Sequence, residues 1–200
     1  MKLPFLSGGK GRKKTAHKIY RAIMKKARQP EFFLHCGVDD TFDGRFDMMV
    51  IHAFLVLRRL KLDHGETAGL AQEVFDLMFV DMDQVLREMG VGDIGLGKRI
   101  KAMAEAFYGR IAVYESGLDS ENDELLNGAL RRNLFRGMRP RDEDVSRMAD
   151  YMRLQVEALE AQQTRTILTG VITFAPTPAA MEKTVEKTVE KQETRPCPRT

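Results

Sequence analysis

The sequence predicts an all-α fold, a single helical domain of about six helices. In six segments apolar side chains return every three or four residues. Most of those segments are bounded by Gly, Pro or a capping residue. Only one β-branched stretch occurs, Thr166 to Phe174, and no second stretch of that quality exists to pair with it. With 200 residues, 43% of them hydrophobic, the chain can bury one core without help from metal or disulfides. The predicted organisation is a flexible basic arm over residues 1–11, a helical domain over 12–165, an extended arm over 166–175 and a disordered tail over 176–200.

Gly8, Gly9 and Gly11 loosen the arm, and Thr15 is placed to cap the first helix. That helix carries Ile19, Ile23, Met24 and Ala27 on one side and basic residues on the rest, and it ends before Pro30. Phe32 to Phe42 reads as a loop. From about Asp43 to Lys61 the pattern is apolar nearly all round, through Phe46, Met49, Val50, Ala53, Phe54 and Leu57, which marks a buried central helix. The next helix, about Glu66 to Met89, has a stripe of Val74, Met78, Met82, Leu86 and Met89 and an acidic outer face, with Gly90 as its C-terminal stop. Leu96 to Leu118 repeats Ile100, Met103, Phe107, Ile111, Tyr114 and Leu118, and Gly117 closes it. Ser120 with Asp123 forms a variant capping box before a short helix through Leu126, Leu130 and Leu134. Asp142, Glu143 and Asp144 favour the positive end of the last long helix, whose stripe is Val145, Met148, Met152, Val156 and Leu159. Beyond Pro176 the repeat of E-K-T-V holds too few apolar residues to fold.

The net charge of +3 hides a separation of sign. Met1 to Arg28 holds ten Lys or Arg and no acid, whereas Glu66 to Asp93 holds seven acids against Arg87 alone. Lys10, Arg12, Lys13, Lys14, Lys18, Arg21, Lys25 and Lys26 are therefore candidate contacts to an anionic membrane or to ribosomal RNA. No DNA-binding motif accompanies them. Two cysteines, Cys36 and Cys197, make no disulfide framework, and no apolar run reaches the roughly 20 residues that span a bilayer.

Chemistry-bearing motifs fail their context tests. Gly90-Val-Gly92-Asp-Ile-Gly95 spells a dinucleotide fingerprint, and Gly92 to Lys98 imitates a phosphate-binding loop. Yet a helical stripe precedes them where a strand is required, and Arg99 stands where the loop needs Ser or Thr. The expected structure is a glycine-rich turn between helices. His35, Cys36, Asp39 and Asp40 match no zinc spacing, and no nucleophile signature is present, so neither an enzyme nor a cofactor is expected. The twelve methionines lie mainly on the stripes, as core filling or as a pliable surface for an apolar client.

Four blocks in order are more specific than any of these motifs: T-F-D-G-R-F-D-M-M-V-I-H-A-F-L-V-L-R-R-L at 41–60, F-V-D-M-D-Q-V-L-R-E-M-G-V-G-D at 79–93, G-K-R-I-K-A-M-A-E-A-F-Y-G-R at 97–110 and A-L-R-R-N-L-F at 129–135. Together they resemble the ubiquinol–cytochrome c chaperone family over roughly residues 12–160. The resemblance implies an all-helical assembly chaperone of the respiratory cytochrome bc complex, with newly made cytochrome b as its client. It marks Phe46, His52, Arg59, Asp81, Tyr108, Tyr114, Arg132 and Asn133 as candidate client contacts. It also implies a bacterial member, working in the cytoplasm and peripherally at the inner membrane. The chain departs from the family pattern at Arg131, where a tryptophan is usual.

Overall fold

The computed structural model describes residues 9–178. Eight α-helices follow one another: α1 (Lys10–Ala27), α2 (Pro30–His35), α3 (Phe42–Leu62), α4 (His64–Glu88), α5 (Asp93–Leu118), α6 (Asp123–Asn133), α7 (Asp142–Glu160) and α8 (Thr164–Ile167). No strand occurs among the described residues. The six long helices are those that the apolar periodicity predicts, and α2 and α8 are additions to them.

Helix α3 forms the centre. Thirteen of its 21 residues are buried, and it packs against α1, α4 and α7. α1 also lies along α4, while α5 packs on α6 and α6 on α7. An all-round apolar helix cannot satisfy itself with one neighbour, so the amphipathic helices arrange their stripes around it. Six of the eight methionines on the expected stripes, Met48, Met49, Met78, Met82, Met148 and Met152, are buried in this core. Met89 is exposed and Met103 half-buried, so core filling is the dominant role of this side chain here.

Several local expectations are corrected. α1 starts at Lys10 rather than at a Thr15 cap, because the Lys and Arg before Thr15 are good helix formers and carry the helix back to Gly9. Just before the expected aromatic loop of Phe32 to Phe42, Pro30 sits at the first helical position, and its fixed φ starts a short helical turn that runs into that loop. That turn delivers Phe32 into the core, edge-on to His52 and Tyr151 at 5.5 and 5.1 Å between ring centres. Ser120 does not cap α6. The Asn122 side chain does so, accepting from the Glu124 N–H at 2.9 Å, while Ser120 Oγ accepts from Asn122 N–H one step earlier. The β-branched stretch opens as one helical turn, α8, and only Val171 to Thr177 runs without regular secondary structure. Residues 1–8 and 179–200, including Cys197, lie outside the described part.

The glycine-rich segment is the expected turn between helices. The Gly90 N–H donates to Arg87 O and the Val91 N–H to Leu86 O, with Gly90 at φ 82°, the paired bonds of a Schellman stop. Gly95 and Gly97 already belong to α5, which begins at Asp93. Gly117 does not end that helix. Its missing side chain lets α6 approach, since a Cβ there would stand 2.8 Å from Leu126 Cα.

Candidate functional site

The family-marked residues divide by burial into a structural set and an exposed set. His52 is fully buried on α3. Its Nδ1 lies 2.7 Å from the Met48 carbonyl, an acceptor only, so Nδ1 carries the proton and donates. Nε2 is then the acceptor, and the Tyr151 hydroxyl donates to it at 2.7 Å. Burial lowers the pKa of His52 to about 4, which holds this neutral tautomer. Both ring nitrogens are satisfied inside the chain, and neither reaches a partner.

Arg59, also buried, works as a clamp at the end of α7. Its guanidinium donates to Leu159 O at 2.9 Å, Gln162 O at 2.6 Å, Asp63 Oδ2 at 2.7 Å and Thr164 Oγ1 at 3.0 Å. A cation there satisfies C-terminal carbonyls that a helix leaves open. Tyr114 is fully buried beside Phe54, at 5.9 Å between ring centres. Asp81 ties α4 to α1 by accepting from the Tyr20 hydroxyl at 2.7 Å. Asn133 donates back to Ala129 O, within α6.

Phe46 is half-buried beneath the Arg110 guanidinium, 5.6 Å from its ring centre. Arg110 in turn pairs with the buried Asp47 at 2.8 Å, joining α5 to α3. Burial raises the Asp47 pKa to about 6, with Arg110 and Arg136 pulling it down. This cluster is an internal tie between α3 and α5 rather than an open site.

The exposed set is smaller. Arg132 is exposed at the end of α6. Tyr108, 59% exposed on α5, is the outermost of four rings that connect α4 to α5. Phe75 lies 5.6 Å from both Tyr108 and Phe107 and 4.8 Å from Phe79. Phe107 is buried, and Phe75 and Phe79 are half-buried. An aromatic ladder therefore rises from the core to the surface, where it offers apolar area to something other than water. Phe75 and Phe79 do not stand on the stripe read from the sequence. Their i, i+4 ring pair beside that stripe was the available signal.

The basic residues of α1 also divide. Lys14, Lys18, Arg21, Lys25 and Arg28 recur at spacings of three and four, all exposed, on the face turned away from Ala16, Ile19 and Ile23. Lys10 and Lys13 are exposed as well. Three of the expected contacts are engaged within the chain. Lys18, though exposed, donates to Thr169 O at 3.1 Å. Arg12 pairs with Glu73 of α4 at 3.5 Å. Lys26 is buried, donates to Ala175 O at 2.7 Å, and has its pKa lowered to about 8 by burial, so it is corrected from surface contact to internal strut. No helix among the described residues is long and apolar enough to cross a membrane. Nor, among them, do three or more His, Cys, Asp or Glu side chains gather as a metal site.

Comparison with known proteins gives one consistent result. The family described as Ubiquinol-cytochrome C chaperone matches residues 34–174. A mouse protein named ubiquinol-cytochrome c reductase complex assembly factor 1 is 28% identical over 163 residues, covering 81% of this chain. A Xenopus laevis relative of the same name is 27% identical, covering 81% of each protein. The chain spans about half the length of the mouse and human relatives, 55% and 54%. Among solved structures, the Cbp3 homolog from Brucella abortus superimposes with a TM-score of 0.77 at 32% identity, over 84% of this chain and 92% of that one.

Proposed function

The chain belongs to the ubiquinol–cytochrome c chaperone family, and from that premise we propose that it serves assembly of the cytochrome bc complex by binding cytochrome b before the complex forms. It acts by holding its client, without turnover and without a cofactor. The observation that supports a client site on this chain is the aromatic ladder of α4 and α5, which ends at the exposed Tyr108. A client that is apolar along its membrane segments gains by covering such area, at about 25 cal/mol per Å² removed from water. Arg132 is a further exposed contact from the family-marked set. His52, Arg59 and Tyr114 contribute indirectly, by fixing α3, α7 and α5. The basic stripe of α1 supports a second, compatible element of the reading, a peripheral position on the cytoplasmic face of the inner membrane or beside the ribosome.

A photoreactive residue at Tyr108 tests the client site in cells. It is expected to crosslink newly made cytochrome b, while the same residue at Leu62, an exposed apolar position at the end of α3 (59% exposed), does not. Equal yields at the two positions, or none at Tyr108, would remove the ladder from the account.

A further inference from the structure

Where α3 meets α5, four buried polar atoms find no hydrogen-bond partner among the described residues. They are Asp47 Oδ1 of α3, Nε and Nη1 of Arg110, and the hydroxyl of Tyr114, which follows Arg110 by one turn of α5. The side chains of Asp47 and Arg110 are only 2% and 7% exposed, and Tyr114 is fully buried. Asp47 and Arg110 do meet, Oδ1 to Nη2 at 2.8 Å, yet they meet as charges, since no N–H is directed at that oxygen. The Phe46 ring lies 5.6 Å from the guanidinium and attracts its charge, but it supplies no lone pair to the N–H groups. Burial, and then the nearby Asp47 charge, raise the Tyr114 pKa, so its hydroxyl keeps its proton and is available as a donor. Buried polar groups in folded chains are almost always bonded, to protein or to ordered water, because a group left bare loses its hydration without return.

The charges around these atoms decide what kind of partner fits. Arg136, on the turn after α6, lies 3.3 Å from Asp43 and 3.4 Å from Asp47. Two carboxylates, Asp43 and Asp47, thus oppose two guanidinium groups, Arg110 and Arg136. An anion added to this balanced set would face Asp47, and a cation would face Arg110. The unpartnered atoms are themselves of both kinds, with donors on Arg110 and Tyr114 and an acceptor on Asp47. Water suits them, because it accepts and donates at once and brings no charge. The outer members of the set, Arg136 at 43% and Asp43 at 70% exposed, give the cluster an edge on bulk solvent.

We propose that Asp47, Arg110 and Tyr114 form a buried water site, in which at least one ordered water accepts from Arg110 and the Tyr114 hydroxyl and donates to Asp47 Oδ1. Helices α3 and α5 are then joined through solvent as well as through the direct ion pair. Tyr114, marked by the family pattern, serves this tie through its hydroxyl and the core through its ring, which packs beside Phe54. Neither the client nor its complex enters into this assignment.

A crystal structure of the full chain that resolves ordered solvent tests the site, with crystals grown above the pH of about 6 at which Asp47 titrates. Expected is a water within hydrogen-bond distance of the Tyr114 hydroxyl, Asp47 Oδ1 and an Arg110 nitrogen, still in place after a bromide soak. In solution, Tyr114→Phe removes the hydroxyl and leaves the ring. A bonded hydroxyl is expected to make that loss raise the unfolding equilibrium constant roughly five-fold in urea titration. Direct bonds between Arg110 and Asp47 that leave no solvent in the cluster would overturn the proposal, and so would bromide in the place of water. A Tyr114→Phe chain at least as stable as wild type would overturn it too, since that is the result of deleting a hydroxyl that has no partner.

Discussion

His52 shows how a residue that looks functional by type can be structural by environment. Its ring is closed between Met48 and Tyr151 in one tautomer, with Phe32 and Phe174 packed on it. A histidine whose pKa falls to about 4 in the fold takes up its proton in the unfolded chain first, near pH 6.5. Its contribution to stability is therefore complete above pH 6.5 and is lost as pH falls toward 4, by roughly 3 kcal/mol across that range. Asp47 has the opposite sign. Raised to about 6, it stabilises most at low pH and less as pH rises through that value. Comparing wild type with His52→Asn cancels the Asp47 effect, which both chains share. In urea unfolding at a series of pH values, the gap between them should narrow on acidification from pH 6.5 to 4. A gap independent of pH would contradict the neutral, buried assignment. The residue identities at 52, 59 and 114 are legible in the sequence as family marks, but burial is a tertiary property, and nothing local distinguishes these positions from Tyr108.

At the scale of elements, α1 combines two faces with different partners. Its inner face packs Ala16, Ile19 and Ile23 on α3 and α4, and the outer stripe of Lys14, Lys18, Arg21, Lys25 and Arg28 carries no acid. Each cation near an anionic bilayer contributes about 1 kcal/mol, weakened by salt. Reversing Lys14, Arg21 and Lys25 to Glu should leave the melting temperature within a few degrees of wild type, since all three are exposed. Sedimentation with phosphatidylserine-containing vesicles should be lost at low salt. Undiminished sedimentation would assign the stripe to solubility alone. Helix positions followed directly from apolar spacing, because a stripe that must face a core repeats whatever lies around it. Short elements did not. α2 depends on Phe32 finding its socket, and the Asn122 cap differs from the Ser120 reading by two residues, a distance that turn geometry decides. The aromatic ladder was missed because Phe75 and Phe79 lie beside the stripe, where sequence alone does not separate core from surface.

The whole molecule sets a rigid centre, α3 with its buried His52 and Arg59, beneath two surfaces of different character. One is aromatic, at Tyr108, and the other is cationic, along α1. The proposed membrane-protein client and anionic surface are complementary to that pair. Deletion of the gene, with haem-b absorbance of membranes and bc-complex activity followed, tests this claim most directly. The account predicts that both fall and that cytochrome b becomes unstable, with recovery when the chain is restored and poor recovery when Tyr108 is replaced by Asp. Wild-type absorbance and activity in the deletion strain, with cytochrome b stable and assembled, would contradict it.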